Sequence, residues 1–555
     1  MGRRGSMGGN VQLLLKHVLQ YGLQWAPGQV ILYRDRVRYT YSDMAQRVLR
    51  LGRALQSLGV RQGTKVGVIE WDSHRYLEMY FAIPGIGAVL HTINPRLAPE
   101  DLAYTIGHAE DEILVFHEDF LPLVEKLRPG LPSVRKYLLI TDKPERPEVG
   151  WVDAEYEELL SGSTPLEELP DLDENTVSTM SYTTGTTGRP KGVSFTQRQL
   201  TLHTLATGLA LAAFGNYGGV NKYDVYMPLT PMFHAHAWGM PYVATLFGLK
   251  QVYPGRYEID VLLRLIREHQ VTFSHCVPTI LQMLVTSPAV KDLDLSRWKV
   301  IIGGARLPKG LALAARKLGI NVYAGYGLSE TCPVLTISHL KPFMDAWDEE
   351  KQLDWAIKTG FPIPLVQLKV LNPSGGEVAR DGRETGEVVV RAPWCTQAYY
   401  KDPERTQELW AGGWMHTGDV ANVDEFGYVQ IVDRLKDLIK SGGEWIVSQE
   451  LEDLLSLHEG VLEAGVIGIP DERWGERPLA IVVPQEGYKG QLTAEALKAH
   501  LSKYVEEGVI TSWSVPEDYI FVDELPKTSV GKIDKKALRG RYSGKGSPSS
   551  PPSLT

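Results

Sequence analysis

Apolar positions recur at helical spacing at Met44, Val48, Leu51, Leu55 and Leu58, and Gly59 supplies a stop signal. A short apolar run at 66–69 follows and reads as a buried strand. The alternation continues with a helix near 76–83, an apolar run at 88–93, a helix at 97–108 and another run at 113–116. Strands separated by helices cannot be hairpin partners, so this rhythm predicts a parallel sheet covered by helices on both faces. Later strands are expected at 177–182, 300–302, 388–391 and 428–432. No internal repeat with a period of about 20 to 50 residues is evident.

The same pattern marks ends and seams. Residues 1–9 are rich in Gly and Arg, and 543–555, SGKGSPSSPPSLT, are rich in Ser and Pro. Both segments are expected to be disordered, because neither can bury enough apolar surface to offset chain entropy. The charged stretch DRLKDLIK at 433–440 reads as a seam between a strand and a new segment. After it, Ser448 is placed to cap a helix with Leu451, Leu454 and Leu455 on one face. The expected division is a large N-terminal body over 10–433, a connecting segment at 434–440 and a small C-terminal domain over 441–542.

Composition narrows the classes. The 555 residues are 43% apolar and 23% charged, the proportions of a globular chain with core material for several domain-sized units. Net charge is −9, from 58 basic and 67 acidic residues, and no long basic run occurs; this argues against nucleic-acid binding through phosphate neutralisation. Cys276, Cys332 and Cys395 are widely spaced, which argues against a disulfide framework or a zinc site and fits a reducing compartment. Two stretches without Asp, Glu, Lys or Arg, at 199–221 and 225–249, are long enough to span a bilayer. Pro228, Pro231, Pro241, His234, His236 and several glycines interrupt them, so they read as buried protein segments rather than membrane spans. The start, MGRRGSMGGN and then VQLLLKHVLQ, makes a poor signal peptide, and the cytoplasm is the expected location.

The most informative chemistry lies at 180–193, MSYTTGTTGRPKGV. A strand opens there into small hydroxyl residues and glycines and closes on Pro190, Lys191 and Gly192. Glycines permit close backbone approach, threonine hydroxyls and N–H groups donate to phosphate oxygens, and a lysine adds charge. The spacing is not that of a Walker loop. A flexible Gly/Thr loop is the plainer alternative, but a phosphate site accounts for its length, its polarity and its P-K-G ending.

This segment resembles the phosphate-loop signature of the adenylate-forming superfamily, which includes acyl- and aryl-CoA synthetases, firefly luciferase and peptide-synthetase adenylation domains. Four further segments follow in that family's order: Gly303-Gly304-Ala305; YAGYGLSET at 323–331; GWMHTGD at 413–419; and PKTSVGKIDKKALR at 526–539. The resemblance spans residues 25 to 540. It implies an α/β fold: a large N-terminal body of subdomains with mostly parallel sheets and a β-barrel-like part, joined to a small mobile α+β C-terminal domain.

The resemblance also implies roles. Thr183, Thr184, Gly185, Thr186, Thr187 and Lys191 would hold ATP phosphates, with Thr184 and Glu330 on Mg²⁺. Tyr326 has a face suited to stacking on adenine, with Gly327 beside it, and Gly304, Ala305 and Arg306 match the stretch that lies against the base. Glu330 is a hard oxygen ligand, and Thr331 would direct its hydroxyl to the α-phosphate. Asp419 resembles the carboxylate that takes both ribose hydroxyls, and Arg434 a second ribose contact. Each residue also has a plain alternative: a core tyrosine for Tyr326, a solvated carboxylate for Glu330, a turn aspartate for Asp419. Lys532 matches the lysine that reaches the α-phosphate and the attacking carboxylate, whereas Lys527, Lys535 and Lys536 do not fit that position. Lys436 matches the pivot about which the small domain turns, bringing Gly442, Gly443 and Glu444 to the pantetheine arm of coenzyme A.

The acid is read from PMFHAHAWGMPY at 231–242. His234 and His236 lack a third ligand for a metal. His234 is expected to border the carboxylate end of the acid site, and Trp238 resembles the tryptophan that gates the acyl tunnel in fatty acyl-CoA synthetases. Core packing is the alternative for Trp238. The expected activity is ATP-dependent ligation of a medium- or long-chain fatty acid to CoA through acyl-AMP. An aryl or cinnamic-type acid, a luciferase-like oxygenase, a carrier-protein-loading enzyme and a non-catalytic scaffold are the alternatives. The partners implied are the carboxylic acid, ATP and CoA, without nucleic acid or a transmembrane segment, and a homodimer is left open.

Overall fold

Burial explains why the βαβ rhythm becomes a sheet. The strands Lys65–Ile69, Val89–Thr92 and Ile113–His117 are buried almost throughout, as strands covered on both faces must be. The computed structural model describes residues 11–145, 147–183, 189–213, 218–442, 444–528 and 533–542. The first predicted helix is Tyr41–Ser57; Thr40 and Asp43 close a capping box at its start. Its apolar stripe, including Met44, Val48, Leu51 and Leu55, is buried. The helices His74–Gly85 and Pro99–Ala109 occupy the places expected at 76–83 and 97–108.

The chain divides into two compact units, Met1–Gln367 with Arg391–Met415, and Leu368–Val390 with His416–Thr555. In the first unit a seven-stranded sheet runs in the order Ala154–Glu155, Lys136–Ile140, Ile113–His117, Lys65–Ile69, Val89–Thr92, Val177–Thr183, Lys191–Thr196. All neighbours are parallel except the last pair, which is antiparallel. A nine-stranded sheet has a parallel centre built from Asn321–Gly327, Lys299–Ile302, Phe273–Cys276, Val225–Tyr226, Lys250–Tyr253 and Val30–Tyr33. Antiparallel strands close it at both ends.

The second unit holds most of a four-stranded sheet, Gln367–Leu371, Gly386–Arg391, Met415–Val423 and Val429–Arg434, whose last two strands are antiparallel. Its strand order runs from edge to edge among the described residues, a small open sheet rather than a closed barrel. A five-stranded sheet follows, with Val461–Asp471 and Gly475–Pro484 as its long antiparallel pair and helices Ser448–Ser456 and Ala494–Glu506 in the same core. Thus 434–440 joins two sheets inside one compact unit, and compactness divides the chain at other places than the charged seam.

Ser448 does not cap its helix. It is the first helical residue, its hydroxyl donates to Asp433 Oδ2 at 2.6 Å, and it accepts from Lys535 Nζ at 2.7 Å. Two charged groups therefore claim the oxygen that a cap would turn to the backbone. The charge-free stretches are not spans: one supplies the helix Gln197–Ala212, and among the described residues no helix is long and apolar enough to cross a membrane.

A buried charge network sits at the carboxyl ends of the first sheet. Arg75 donates to Asp142 at 3.0 Å and Glu157 at 2.8 Å, and Arg47 to Glu78 at 2.7 Å and Glu157 at 2.8 Å. Tyr33, from the other sheet, donates to Asp142 at 2.7 Å. Burial alone would raise the Asp142 and Glu157 carboxyls. Hydrogen bonds from Tyr33 and Arg75 to Asp142 and from Arg47 and Arg75 to Glu157, with the His117 and His74 imidazoles nearby, instead hold both far below the usual range.

Groups whose folded pKa is depressed contribute stability above their unfolded pKa and lose it as pH falls. Arg75→Met removes one cationic partner from each of two carboxylates and is expected to cost about 2 kcal/mol near pH 7 in urea unfolding, chiefly at Asp142, since Glu157 keeps Arg47 and is partly exposed. That cost should shrink as pH falls through about 4, where the unfolded carboxyls protonate. A cost independent of pH would show that Arg75 acts by packing alone.

Candidate active site

The antiparallel end of the first sheet carries the segment singled out for phosphates. Thr183 ends its strand directly opposite Lys191 in an antiparallel pair. Thr184, Gly185, Thr186 and Thr187 lie outside the described residues. Lys191 Nζ stands 4.4 Å from the centroid of the Tyr399 ring, and the Tyr399 hydroxyl donates to Glu330 Oε1 at 2.8 Å. Lys191 and Glu330, far apart in sequence, thus meet on one side chain that sequence reasoning missed. The segment around it is sewn to both neighbours: Thr396 N donates to Glu330 O at 2.7 Å and Tyr400 N to Gly192 O at 2.8 Å. A tyrosine in an irregular stretch carries no periodic signal, so only the family order could have pointed to it.

Glu330 and Thr331 lie in a short turn after the strand Asn321–Gly327. Gly327 is forced by space: a Cβ there would lie 1.7 Å from Pro333 O. A bulge between Tyr326 and Gly327 interrupts the register there and re-aims the chain. Thr331 is buried, and its hydroxyl accepts from Leu328 N at 3.0 Å and lies against the Leu328 and Pro333 carbonyls, so it braces the turn that carries Glu330. Gly304, Ala305 and Arg306 follow the strand Lys299–Ile302 and are exposed, Gly304 with φ +77°.

The segment from 235 to 239 is a left-handed turn. Ala235, His236, Ala237, Trp238 and Gly239 have φ of 44°, 56°, 47°, 58° and 73°. For residues with a Cβ such backbone costs about 1 to 2 kcal/mol each, so the surroundings must impose it. They do so at both ends. Asp72 accepts from Met232 N at 2.8 Å, and Tyr80 donates to the Met232 carbonyl. A Cβ on Gly239 would lie 2.6 Å from His203 Cε1, and the Trp238 indole lies so close to Gly303 that a Cβ there would sit 2.9 Å from its Cη2. Trp238 also faces His275, ring centroids 5.1 Å apart. Trp238 is therefore buried against the stretch assigned to adenine, which joins the core-packing and gating readings in one place. His234 is half-buried at the entrance of the turn, and His236 is fully buried among Tyr80, Phe195 and Tyr242. Burial, reinforced by His234, pushes the His236 imidazole down to about 4, so it stays neutral.

The remaining expected residues lie in the second unit. Asp419 and Arg434 face each other across adjacent strands, with Arg434 Nε 3.0 Å from Asp419 Oδ1. Asp419 is buried, and Arg434 is partly exposed. Burial, with Arg434 nearby, pushes the Lys436 ammonium down to about 8. Arg539 holds Asp437 through both of its terminal nitrogens. Gly442 turns with φ +60° against Trp513 and Trp474, where a Cβ would lie 2.7 Å from Trp513. Gly443, the Glu444 side chain and Lys532 lie outside the described residues. Lys527 and Ile533 form an antiparallel bridge, and Asp534 N bonds Pro526 O at 2.8 Å. Lys535 is half-buried, 2.8 Å from Glu452 and bonded to Ser448, which accounts structurally for a lysine that did not fit the reactive position.

The chain matches the family model described as AMP-binding enzyme over residues 22–400, and the one described as AMP-binding enzyme C-terminal domain over 450–532. It is 43% identical over 513 residues to the long-chain-fatty-acid–CoA ligase of Thermus thermophilus, covering 91% of this chain and 90% of that protein. It is 37% identical over 536 residues to the 3-methylmercaptopropionyl-CoA ligase of Ruegeria lacuscaerulensis, covering 96% and 97%. The solved structure of Mycobacterium tuberculosis fatty acyl CoA synthetase aligns with a TM-score of 0.69 at 26% identity, covering 96% of this chain and 99% of that one.

The left-handed turn has a direct check. Ala237→Gly removes the steric cost of positive φ and is expected to be neutral, or stabilising by up to about 1 kcal/mol. In an ordinary right-handed helix the same change costs about 1 kcal/mol. Urea unfolding of the variant distinguishes the two, and a loss of that size would refute the left-handed backbone.

Proposed function

Because the chain belongs to the AMP-binding enzyme family, we propose that it is an AMP-forming acid:CoA ligase whose acid is a fatty acid of medium or long chain. The observation that carries this reading is the convergence of Lys191 and Glu330 on Tyr399 at the end of the antiparallel pair. A cation and a hard carboxylate at one site suit a triphosphate, and the family order supplies the rest.

The reaction has two steps. In the first, the acid carboxylate attacks the ATP α-phosphorus, a P–O bond to the acyl oxygen forms, and pyrophosphate leaves. In the second, the CoA thiol loses its proton and attacks the acyl carbon, giving the thioester and AMP. Lys191 neutralises phosphate charge beside the loop, while Tyr326 and the Gly304 to Arg306 stretch take the adenine. Asp419, with Arg434 against it, accepts from the ribose hydroxyls. Lys532 stabilises the charge that builds as two anions approach. Glu330 fits a magnesium ion by its chemistry, a half-buried carboxylate with one oxygen already oriented by Tyr399, and the bound ion would supply charge neutralisation at the phosphates. Turning about Lys436 would exchange Lys532 for the Gly442 to Glu444 segment between steps. Trp238, packed on Gly303 beside the adenine stretch, would let nucleotide binding govern entry of the acid. The three cysteines are buried and free, which accords with bystanders in the cytoplasm.

A pyrophosphate-release screen tests the reading, using fatty acids of graded length, aryl acids and 3-methylmercaptopropionate, each with and without CoA. Medium- or long-chain acids are expected to exceed aryl acids by about tenfold or more in kcat/KM, with acyl-CoA and AMP as products. Equal or greater turnover of an aryl or short thioether acid would overturn the choice of acid. Lys532→Ala should lower acid-dependent pyrophosphate release by about a hundredfold or more and largely spare thioester formation from supplied acyl-AMP. Equal loss of both steps would count against its role.

A further inference from the structure

Tyr399 touches both charged groups of the nucleotide site through different parts of one side chain. Its ring face carries the Lys191 ammonium at 4.4 Å, and its hydroxyl donates to Glu330 Oε1 at 2.8 Å. No ion pair joins Lys191 to Glu330 among the described residues. Two opposite charges this close to one ring would pair directly if nothing stood between them, and phosphate would then have to break the pair. We propose that Tyr399 is a positioning residue that keeps Lys191 and Glu330 apart while orienting each, so that both remain available to the magnesium–ATP complex.

Three features make the ring a fixed spacer. Tyr399 is 7% exposed. Its backbone bridges Val193, two residues beyond Lys191, and its N–H bonds Thr406 Oγ1 at 3.0 Å. The neighbouring Thr396 N–H holds the Glu330 carbonyl, so both ends of the contact are tied to the same short segment. Chemistry agrees with geometry. The phenol is the donor and the carboxylate the acceptor in the contact with Glu330. A donated hydrogen bond withdraws one lone pair of Oε1 and selects one rotamer of the carboxylate, which leaves Oε2 to face the ion. The ring face attracts the ammonium by its quadrupole without consuming any of its three N–H donors for phosphate.

The proposal rests on the reading of Lys191 and Glu330 as nucleotide ligands, and the two halves of Tyr399 can be removed separately. ATP binding is measured by calorimetry in EDTA and across a magnesium titration, with thermal midpoints as a check on folding. Tyr399→Phe keeps the spacer and loses the donor. It should leave ATP affinity in EDTA within about twofold and raise the magnesium concentration for half-saturation about tenfold. Tyr399→Leu loses both and should also weaken ATP binding in EDTA about tenfold, as Lys191 pairs with Glu330. An unchanged magnesium requirement in Tyr399→Phe, or equal weakening with and without magnesium, would overturn the proposal. Glu330→Gln and Lys191→Ala serve as controls. Should Glu330→Gln leave the magnesium requirement unchanged, or Lys191→Ala leave ATP affinity in EDTA unchanged, the reading of the site falls and the role of Tyr399 with it.

Discussion

The proposed nucleotide site depends on one backbone register, Thr183 opposite Lys191. Six of the seven strands in that sheet run parallel, and parallel strands send their chain ends to a common edge. Reversal of the last strand turns a chain that would leave for a helix back on itself, which sets Lys191 opposite Thr183 at the end of the pair. A slip of one residue would send Lys191 to the other face of the sheet. The slip is prevented by burial of Val193 and Phe195 on one side of the strand and by Tyr400 N on the Gly192 carbonyl. The same strand holds the segment of Tyr399, through Val193 and the Gly192 carbonyl, and Tyr399 reaches Glu330 on the other sheet.

On the acid side the constraint is different in kind. The first sheet reaches the 231–239 segment through Asp72 and Tyr80, which take the two backbone groups of Met232. Burial pushes the Asp72 carboxyl up to about 7, against hydrogen bonds from Tyr257 and Met232, so this carboxyl is itself costly to bury charged. It is retained beside a left-handed turn that is costly as well. Two unfavourable local choices at one place, each imposed by packing, are what a site under positional demand shows. Their common product is the indole of Trp238 laid against Gly303.

Legibility in the sequence followed the range of the interaction involved. Helices and strands with local periodicity, such as Tyr41–Ser57 and Ile113–His117, were readable because each position reports its own burial. The motif residues were readable only through their order along the chain, since one Glu or one Lys has no periodic signature. The left-handed turn was not legible: A-H-A-W contains no glycine before Gly239, and its backbone is set by contacts with Asp72, Tyr80 and His203 that lie far away in sequence. Tyr399 was missed for the same reason. Ser448 was misread because capping statistics describe an isolated helix end, whereas here a buried aspartate and a half-buried lysine compete for the hydroxyl.

That competition bears on movement. Asp433 Oδ2 accepts from both Ser448 N and Ser448 Oγ at 2.6 Å, so it occupies the helix N-terminus in place of a cap. Lys535 bridges Ser448 and Glu452, and burial pushes the Glu452 carboxyl up to about 7 in spite of that lysine. Asp433 precedes Lys436, while Ser448, Glu452 and Lys535 follow it. With Lys436 as the pivot, rotation must take Asp433 away from Ser448 and expose one backbone donor and one hydroxyl, whereas the Lys535–Glu452 and Arg539–Asp437 pairs lie wholly beyond the pivot and travel together. Water can replace Asp433 at a helix end that opens to solvent, so the break costs far less than separating a buried ion pair would. On the proposed turn about Lys436, the ionic contacts would keep the moving part together, and the contacts that cross the pivot would be those of Asp433 with Ser448 and the bonds of Asp437 N and Leu438 N to the Arg434 carbonyl.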